Sequence, residues 1–453
     1  MNIVIVGDGK VGYTLAEQLS KEGHDITLID RNSAALQRTV EALDVIGVVG
    51  NGASYDIQIE AGVDQSDLLV AVTSQDEVNM ICCLLARKLG AKHTIARIRN
   101  TEYYRQMRLL KDELGLSLVI NPEQATAQEI ARLISFPFAI SMGNFAKGRV
   151  SVVELRVAAD SPLVGKSLAE IHRQYMVNIL VCAVERGGKV YIPQGSFVVE
   201  AGDKIHVSGD QKKIADFLGR LKVAKFRVKN VMLIGGGRVT YYLAHILSDM
   251  GINIRIIEKN PSRCEDLCAE FPNALIVEGD GTERDLLDEE GLGEVDVVVA
   301  LTDMDEENMV VAMYASLQGV RKVIAKINRI NYLDIVQHIP IDSIVSPKHI
   351  TAYQILQYVR ALNNAEGSGV RTLHRIVNDE AEIIEFVASK KTKHLGQPLA
   401  QIRLRDNTII GAIVREGQLI IPHGQDCIQV EDSVIVITTH KNFDDINDIF
   451  VGQ

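Results

Sequence analysis

The chain has 453 residues, 47% of them hydrophobic, and a formal net charge of −11. At ~100 to 200 residues per domain this length calls for two to four domains, and the acidic balance excludes a nucleic-acid surface, which needs concentrated Lys and Arg. No apolar run approaches the ~20 residues of a membrane helix, the N-terminus has no signal-peptide pattern, and Cys82, Cys83, Cys182, Cys264, Cys268 and Cys427, with no CxxC pair, read as reduced core thiols.

The first thirty residues read as strand, glycine turn, helix and second strand. Residues 2–6 are a short apolar run suited to a buried parallel strand, and Gly7-Asp8-Gly9-Lys10-Val11-Gly12 follows directly. Gly7 permits the tight turn, Gly9 lets backbone amides approach a pyrophosphate, and Gly12 allows close packing of the next helix on the sheet. That helix, from about Val11, aims its N-terminal amides at phosphate. Asp30 ends the second strand, where its carboxylate can accept hydrogen bonds from ribose hydroxyls. It would repel a 2′-phosphate, so NAD is favoured over NADP.

The alternation continues with a helix over 33–43, a strand over 45–49, Gly50-Asn51-Gly52, a helix over about 55–61 and a strand over 68–72. Thr73-Ser74-Gln75-Asp76-Glu77 then leads into a helix through Leu89, and 94–98 and 118–120 supply two more strands. The pattern predicts a doubly wound parallel sheet with its ligand site at the strands' C-terminal edge. After Asn121-Pro122 comes a helix over 123–135, ended by Pro137. Residues 151–157, 178–185, 190–192 and 204–208 then read as strands, with Arg186-Gly187-Gly188-Lys189 as a hairpin turn, and 211–221 as a helix. They form a small α+β lobe.

From Val228 the programme repeats. Gly235-Gly236-Gly237-Arg238-Val239 lies 228 positions after the first glycine turn, and Glu258 stands where Asp30 stood. Gly279-Asp280-Gly281, the block from Thr302 to Met309, and Ile421-Pro422-His423-Gly424 match 50–52, 73–80 and 192–195 at an offset of 229. Constant offsets across four lobes mean a tandem duplication, with expected lobes 1–136, 137–222, 228–364 and 365–453. The expected fold is therefore α/β: a Rossmann-like parallel-sheet domain followed by a small α+β domain, twice over. Thr240 replaces Gly12 in the second copy, where its β-branched side chain should crowd the helix and weaken that site.

Little in the small lobes resembles a proton-transfer site. His172, His206, His374, His394, His423 and His440 share no motif and read as satisfied structural histidines, and Cys264 with Cys268 lacks the further ligands of a metal site. Asp76 and Glu77 fall at a helix start, where capping and dipole complementarity account for them. For Thr73 and Ser74, capping and a nucleotide-edge role both stand, and for Arg97, with Lys326 its match, so do a phosphate contact and a solvated cation.

The duplicated plan, with GDGKVG, Asp30, NGAS, VTSQDEVNM, ARIRN and then PLVGKSLAEI and IPQG, closely resembles the TrkA family across essentially the whole chain. These are the peripheral nucleotide-binding subunits of Trk potassium-uptake systems, built from two KTN (RCK) domains each followed by a TrkA C-terminal domain. The resemblance implies a non-enzymatic regulator, cytoplasmic and peripheral on the membrane. It implies NAD(H), with ATP or ADP as the alternative ligand, a TrkH-like integral-membrane potassium-translocating partner, and homo-oligomerisation into a ring of RCK lobes. Nucleotide contacts carry over to Gly7, Asp8, Gly9, Lys10, Val11, Asp30, Thr73, Ser74 and Arg97. In the second half they carry over to Gly235, Gly236, Gly237, Glu258, Gly279, Asp280, Thr302 and Lys326. The competing expectations are a soluble NAD-dependent oxidoreductase and a regulator of another cation transporter.

Overall fold

The computed structural model describes residues 1–221, 228–328, 341–365, 370–376, 380–441, 443 and 445–451; the lobe boundary expected at 222 falls outside them. In the first parallel sheet, β1 (Asn2–Val6), β2 (Asp25–Asp30), β3 (Ile46–Val49), β4 (Leu68–Ala71), β5 (His93–Arg97) and β6 (Leu118–Ile120) lie in the order β3-β2-β1-β4-β5-β6. Ile3, Val4, Ile5 and Val6 are all buried, because helices cover both faces of the sheet. Interleaved are α1 (Lys10–Lys21), α2 (Ser33–Ala42), α3 (Tyr55–Glu60), α4 (Asp76–Leu89), α5 (Thr101–Leu110) and α6 (Pro122–Ser135). α1 buries Val11, Leu15, Ala16 and Leu19, a helical-period stripe laid on the sheet.

An antiparallel sheet follows, with β7 (Ser141–Phe145), β8 (Val150–Arg156), β9 (Ile179–Arg186), β10 (Lys189–Tyr191) and β11 (Lys204–Gly209) in the order β10-β9-β11-β8-β7. α7 (Leu168–Tyr175) and α8 (Gln211–Arg220) accompany it. The expected hairpin is present: Gly187 and Gly188 both have positive φ, and Lys189 pairs with Arg186.

The second copy repeats the topology. β12 (Asn230–Ile234), β13 (Asn253–Glu258), β14 (Leu275–Glu278), β15 (Val297–Ala300), β16 (Lys322–Lys326) and β17 (Ser343–Val345) order as β14-β13-β12-β15-β16-β17. Their helices are α9 (Arg238–Asp249), α10 (Pro261–Glu270), α11 (Arg284–Glu289), α12 (Asp305–Leu317) and α13 (Pro347–Ala365). The final sheet has β18 (Val370–Ile376), β19 (Ala381–Val387), β20 (Thr408–Arg415), β21 (Gln418–Ile420) and β22 (Ser433–Thr438), ordered β18-β19-β22-β20-β21.

The chain forms two compact units, one of Met1–Ala131 with Lys229–Leu356, the other of Arg132–Val228 with Gln357–Gln453. The first holds both parallel sheets, and Asn121 Nδ2 donates to Tyr242 Oη across them at 2.8 Å. In the second, the two antiparallel sheets share one core, in which Phe145, Val150, Val152 and Cys182 meet Ile376, Ile383, Ile435 and Ile437. Each sheet is tied by the same pair of a buried carboxylate and a half-buried arginine: Arg186 Nε to Asp203 Oδ1 at 2.7 Å, and Arg415 Nε to Asp432 Oδ1 at 2.9 Å. Gly143 on β7 and His374 on β18 occupy the same ladder position in the two copies, and a Cβ built on Gly143 would come within 3.6 Å of the His374 ring.

Two expectations change here. Cys268 is exposed and Cys427 half-exposed, while Cys82, Cys83, Cys182 and Cys264 are buried. His206 is not satisfied: its Nε2 is buried with no hydrogen-bond partner among the described residues. Cys264 Sγ donates to the Glu258 carbonyl at 3.3 Å, and no group of three metal-ligating side chains occurs among the described residues.

Candidate functional site

The order of strands reverses between β1 and β4, so the turn after β1 opens into a crevice rather than onto a neighbouring crossover. Gly7 takes φ +106°, open to glycine alone, and a Cβ there would lie 3.0 Å from the Thr73 amide nitrogen. At Gly12 a Cβ would lie 1.9 Å from the Gly7 carbonyl oxygen, so this helix packs against the turn only without a side chain. Around Gly9 the same test meets nothing within 4 Å, which leaves the backbone open to an approaching ligand.

Asp30 holds the turn from the neighbouring strand. Its Oδ2 accepts from the Asp8 amide at 2.6 Å and its Oδ1 from the Asn32 amide at 2.8 Å. Glu258 does the same in the second copy, accepting from Gly236 N at 2.6 Å and Asn260 N at 2.8 Å. Each carboxylate oxygen retains a lone pair, so the acid can both pin the turn and receive a hydroxyl. The Asp8 side chain turns away toward α2, where it accepts from Thr39 Oγ1 at 2.7 Å. Burial raises the Asp8 pKa, the Thr39 bond lowers it, and the nearby Asp30 charge raises it again.

At the ends of β4 and β5 the organising residue is Asn79, fully buried on α4. Its Oδ1 accepts from Thr73 N at 2.9 Å and Thr73 Oγ1 at 2.7 Å, and its Nδ2 donates to the carbonyls of Thr73 and Arg97. Asn308 repeats the arrangement toward Thr302 and Lys326. Capping does not account for Asp76: it is buried, and its Oδ2 accepts from the amides of Arg99 and Asn100 at 2.8 and 2.7 Å. The carboxylate thus ties α4 to the segment after β5. Asn79 and Asp76 each stand in the repeated block, which was the available signal; their partners at Arg97, Arg99 and Asn100 lie some twenty residues onward and leave no mark in the local pattern.

One cavity of about 960 Å³ lies within this unit and is lined from both copies, a volume at the upper end of small-molecule sites. From the first copy come Gly7, Gly9, Lys10, Val11, Asp30, Thr73, Ser74 and Arg97, with Arg31, Asn51, Arg99 and Glu123 beside them. From the second come Gly237, Arg238, Asp303, Lys326, Asn328 and Lys348. Of the expected residues, Asp8, Gly12, Gly235, Gly236, Glu258, Gly279, Asp280 and Thr302 do not line it. Thr240 is accommodated rather than crowding its helix: it is fully buried and its hydroxyl donates to the Gly235 carbonyl.

Cations outnumber acids around this cavity, although the chain as a whole is acidic. Arg97 donates to the Thr73 carbonyl, and its Nε is buried without a partner among the described residues. Burial lowers its pKa, with Arg99 acting in the same direction. Burial likewise lowers that of Lys326, whose Nζ donates to the Leu301 carbonyl at 3.2 Å. Arg99 pairs with Glu123 at 2.6 Å. The helices α1, α6, α9 and α13 each bring their opening residues to the cavity wall, adding the positive ends of four helix dipoles.

Comparison with known proteins places this geometry. A TrkA-N domain model matches residues 3–122 and 231–347, and a TrkA-C domain model matches 152–222 and 383–451. The chain is 36% identical to Trk system potassium uptake protein TrkA homolog 1 of Methanosarcina mazei, over 97% of each chain. It is 34% identical to the Trk system potassium uptake protein TrkA of Haemophilus influenzae, covering 99% of this chain and 98% of that one. Among solved structures, the GsuK channel bound to NAD superposes with a TM-score of 0.63 at 18% identity, over 96% of this chain and 76% of that one. The GsuK RCK domain gives 0.62 at 19%, over 96% and 92%.

Proposed function

The chain belongs to the TrkA family, and from that premise we propose that it is the cytosolic nucleotide-binding regulatory subunit of a Trk-type potassium-uptake system. The observation that carries this reading is a cavity walled by both glycine turns' lobes. A ligand held there touches both copies at once and therefore acts on how they are spaced. It shifts a two-state partner only if it binds the two spacings with different affinity.

Within the first copy, the backbone of the glycine turn and the opening amides of α1 receive the ligand's phosphates, and Asp30 receives the ribose hydroxyls. Thr73 and Ser74 edge the base side, and Arg97 supplies charge. The ligand is NAD(H), with ATP or ADP as the alternative. Gly235, Gly236, Gly237, Glu258, Gly279, Asp280, Thr302 and Lys326 form the corresponding second half-site. Gly237 and Lys326 face the shared cavity, and the others serve mainly to shape their own loops. The chain is divided into lobes 1–136, 137–222, 228–364 and 365–453, several chains form a ring, and that ring sits against a TrkH-like integral-membrane subunit. No helix among the described residues is long and apolar enough to cross a membrane, so attachment runs through that partner. Nucleotide is bound and released unchanged.

The test is potassium flux through the reconstituted membrane subunit in liposomes, with and without this protein, across NADH, NAD, ADP and ATP. A nucleotide-dependent change in flux that requires the protein is expected. Identical flux under every condition would remove the regulatory reading, and steady turnover of NAD above ~1 per second with an alcohol, hydroxy acid or aldehyde would replace it with a dehydrogenase.

A further inference from the structure

Two histidines that share no motif come together where the small lobes of the two copies meet. His172, in the last turn of α7, belongs to the first copy, and His423, in the Ile421-Pro422-His423-Gly424 turn, belongs to the second. Their ring centroids lie 6.4 Å apart at an interplanar angle of 62°. Both stand in the unit whose two antiparallel sheets share one core, and both are exposed. Imidazoles do not recur on the other side of the repeat. Gly165 N donates to the Val199 carbonyl just as Gly396 N donates to that of Ile428, which aligns the two lobes here. His172 stands seven residues after Gly165 and His423 five before Ile428, so their counterparts are Arg403 and Gln194.

The His423 ring is held for coordination through Nε2. Its Nδ1 lies 2.9 Å from the Ile421 carbonyl oxygen, which can only accept, so in the neutral ring the proton is on Nδ1 and the lone pair on Nε2. The Asp426 carboxylate accepts from His423 N at 2.7 Å, and the Asp426 amide donates back to the His423 carbonyl at 3.0 Å, which locks the turn. That carboxylate also stands 3.8 Å from Nδ1, an outer partner that raises the basicity of a ligating imidazole. His172 sits at the negative end of its helix dipole, where a cation is favoured. The next residue, Arg173, folds back onto its own helix, with Nε donating to the Ala169 carbonyl at 3.3 Å. Two metal–imidazole bonds of about 2.0 to 2.1 Å span about 4 Å, and the radii of the two rings make up the rest of the separation. We propose that His172 and His423 hold one divalent transition-metal ion of the imidazole-binding class, Zn²⁺, Ni²⁺ or Cu²⁺, as a staple between the two copies. Water completes the ion's shell from the open side, and Mg²⁺, which requires oxygen ligands, is refused.

The experiment is calorimetric titration of the chelator-treated full-length protein with Zn²⁺, and with Mg²⁺ as the contrast, for the wild type, His172→Gln, His423→Gln and the double variant. The wild type should take up one Zn²⁺ per chain and melt at a higher temperature with it, whereas Mg²⁺ should do neither. Each single variant should lose about tenfold or more in Zn²⁺ affinity, and the double variant should be little worse than either, because one ligand cannot bridge the copies. Without metal, both variants should melt with the wild type, since exposed side chains carry little of the fold. With Cu²⁺ as the probe, electron paramagnetic resonance should show coupling to two imidazole nitrogens in the wild type and not in either variant. Loss of binding in one variant alone would overturn the staple, because the ion would then belong to a single copy. Zn²⁺ binding that survives both changes, or a wild type that binds no Zn²⁺, would overturn it equally.

Discussion

Asp30 shows how one carboxylate serves loop and ligand together. It accepts two backbone amides that hold the glycine turn open, so Asp30→Ala removes a ligand contact and loosens the cradle. NADH affinity is expected to fall by about 1 to 3 kcal/mol, the range for hydrogen bonds to a charged group. Glu258→Ala should fall by less, because Glu258 does not line the cavity. Calorimetry showing no loss in the Asp30 variant would remove it from the site. The acid was legible in the sequence, since a strand-ending carboxylate after a glycine turn has few other uses. Asn79 was not, because its work is to join backbone groups at Thr73 and Arg97 that only the folded sheet makes neighbours. Asn79→Ala leaves those buried groups unpaired and should destabilise the protein by about 2 to 3 kcal/mol. Urea denaturation checks this, and a change below ~0.5 kcal/mol, ordinary for an exposed site, would contradict the role assigned to Asn79.

Among elements, the βαβ run was readable because its glycines, apolar strands and repeat all agreed. β7 escaped because Ser141–Phe145 carries a glycine and alternates weakly, whereas α5 went unread although Tyr103, Met107 and Leu110 stand at helical spacing. α7 had its mark in plain view: Ser167 and Glu170 make the reciprocal capping bonds that the SLAE pattern announces. The antiparallel sheets are held by Arg186 with Asp203 and by Arg415 with Asp432. Burial raises the Asp203 pKa, but the Arg186 and Glu200 hydrogen bonds outweigh it and hold it below the usual value. Asp203→Asn removes the bidentate partner of Arg186, which keeps its bonds to Glu200 and the Val198 carbonyl, and should cost about 1.5 to 3 kcal/mol, the range for hydrogen bonds to charged groups, in a denaturant titration. The same sheets carry a pH dependence. Burial depresses the pKa of His206, flanked by Glu154, Glu185 and Lys204, and that of His374 to about 4, where the His206 charge adds to the effect. A histidine at about 6.5 when unfolded takes up its proton more readily unfolded than folded. Stability is therefore fully present above that pH and lost as the pH falls toward 4. Melting temperatures should drop across this window and the drop should shrink in His374→Gln; an unchanged profile in that variant would exclude His374 as its source.

For the molecule as a whole, a shared cavity predicts a shared response. At a hundredfold excess over its dissociation constant, a nucleotide stabilises the protein by about 2.7 kcal/mol. Hydrogen exchange should slow at residues 7–11 and at 237–239 together, from one ligand. Protection confined to the first turn would mean that the copies do not close on it jointly. The duplication behind this cavity has another consequence, visible where His374 faces Gly143. Had the pair been made of two identical chains, that position would hold two imidazoles or two glycines, a collision or a void. A chain that carries both halves can fill the space once, from one side. Joining the copies end to end thus released each position from having to suit both of its settings, and selection could thereafter edit one half while leaving its twin untouched.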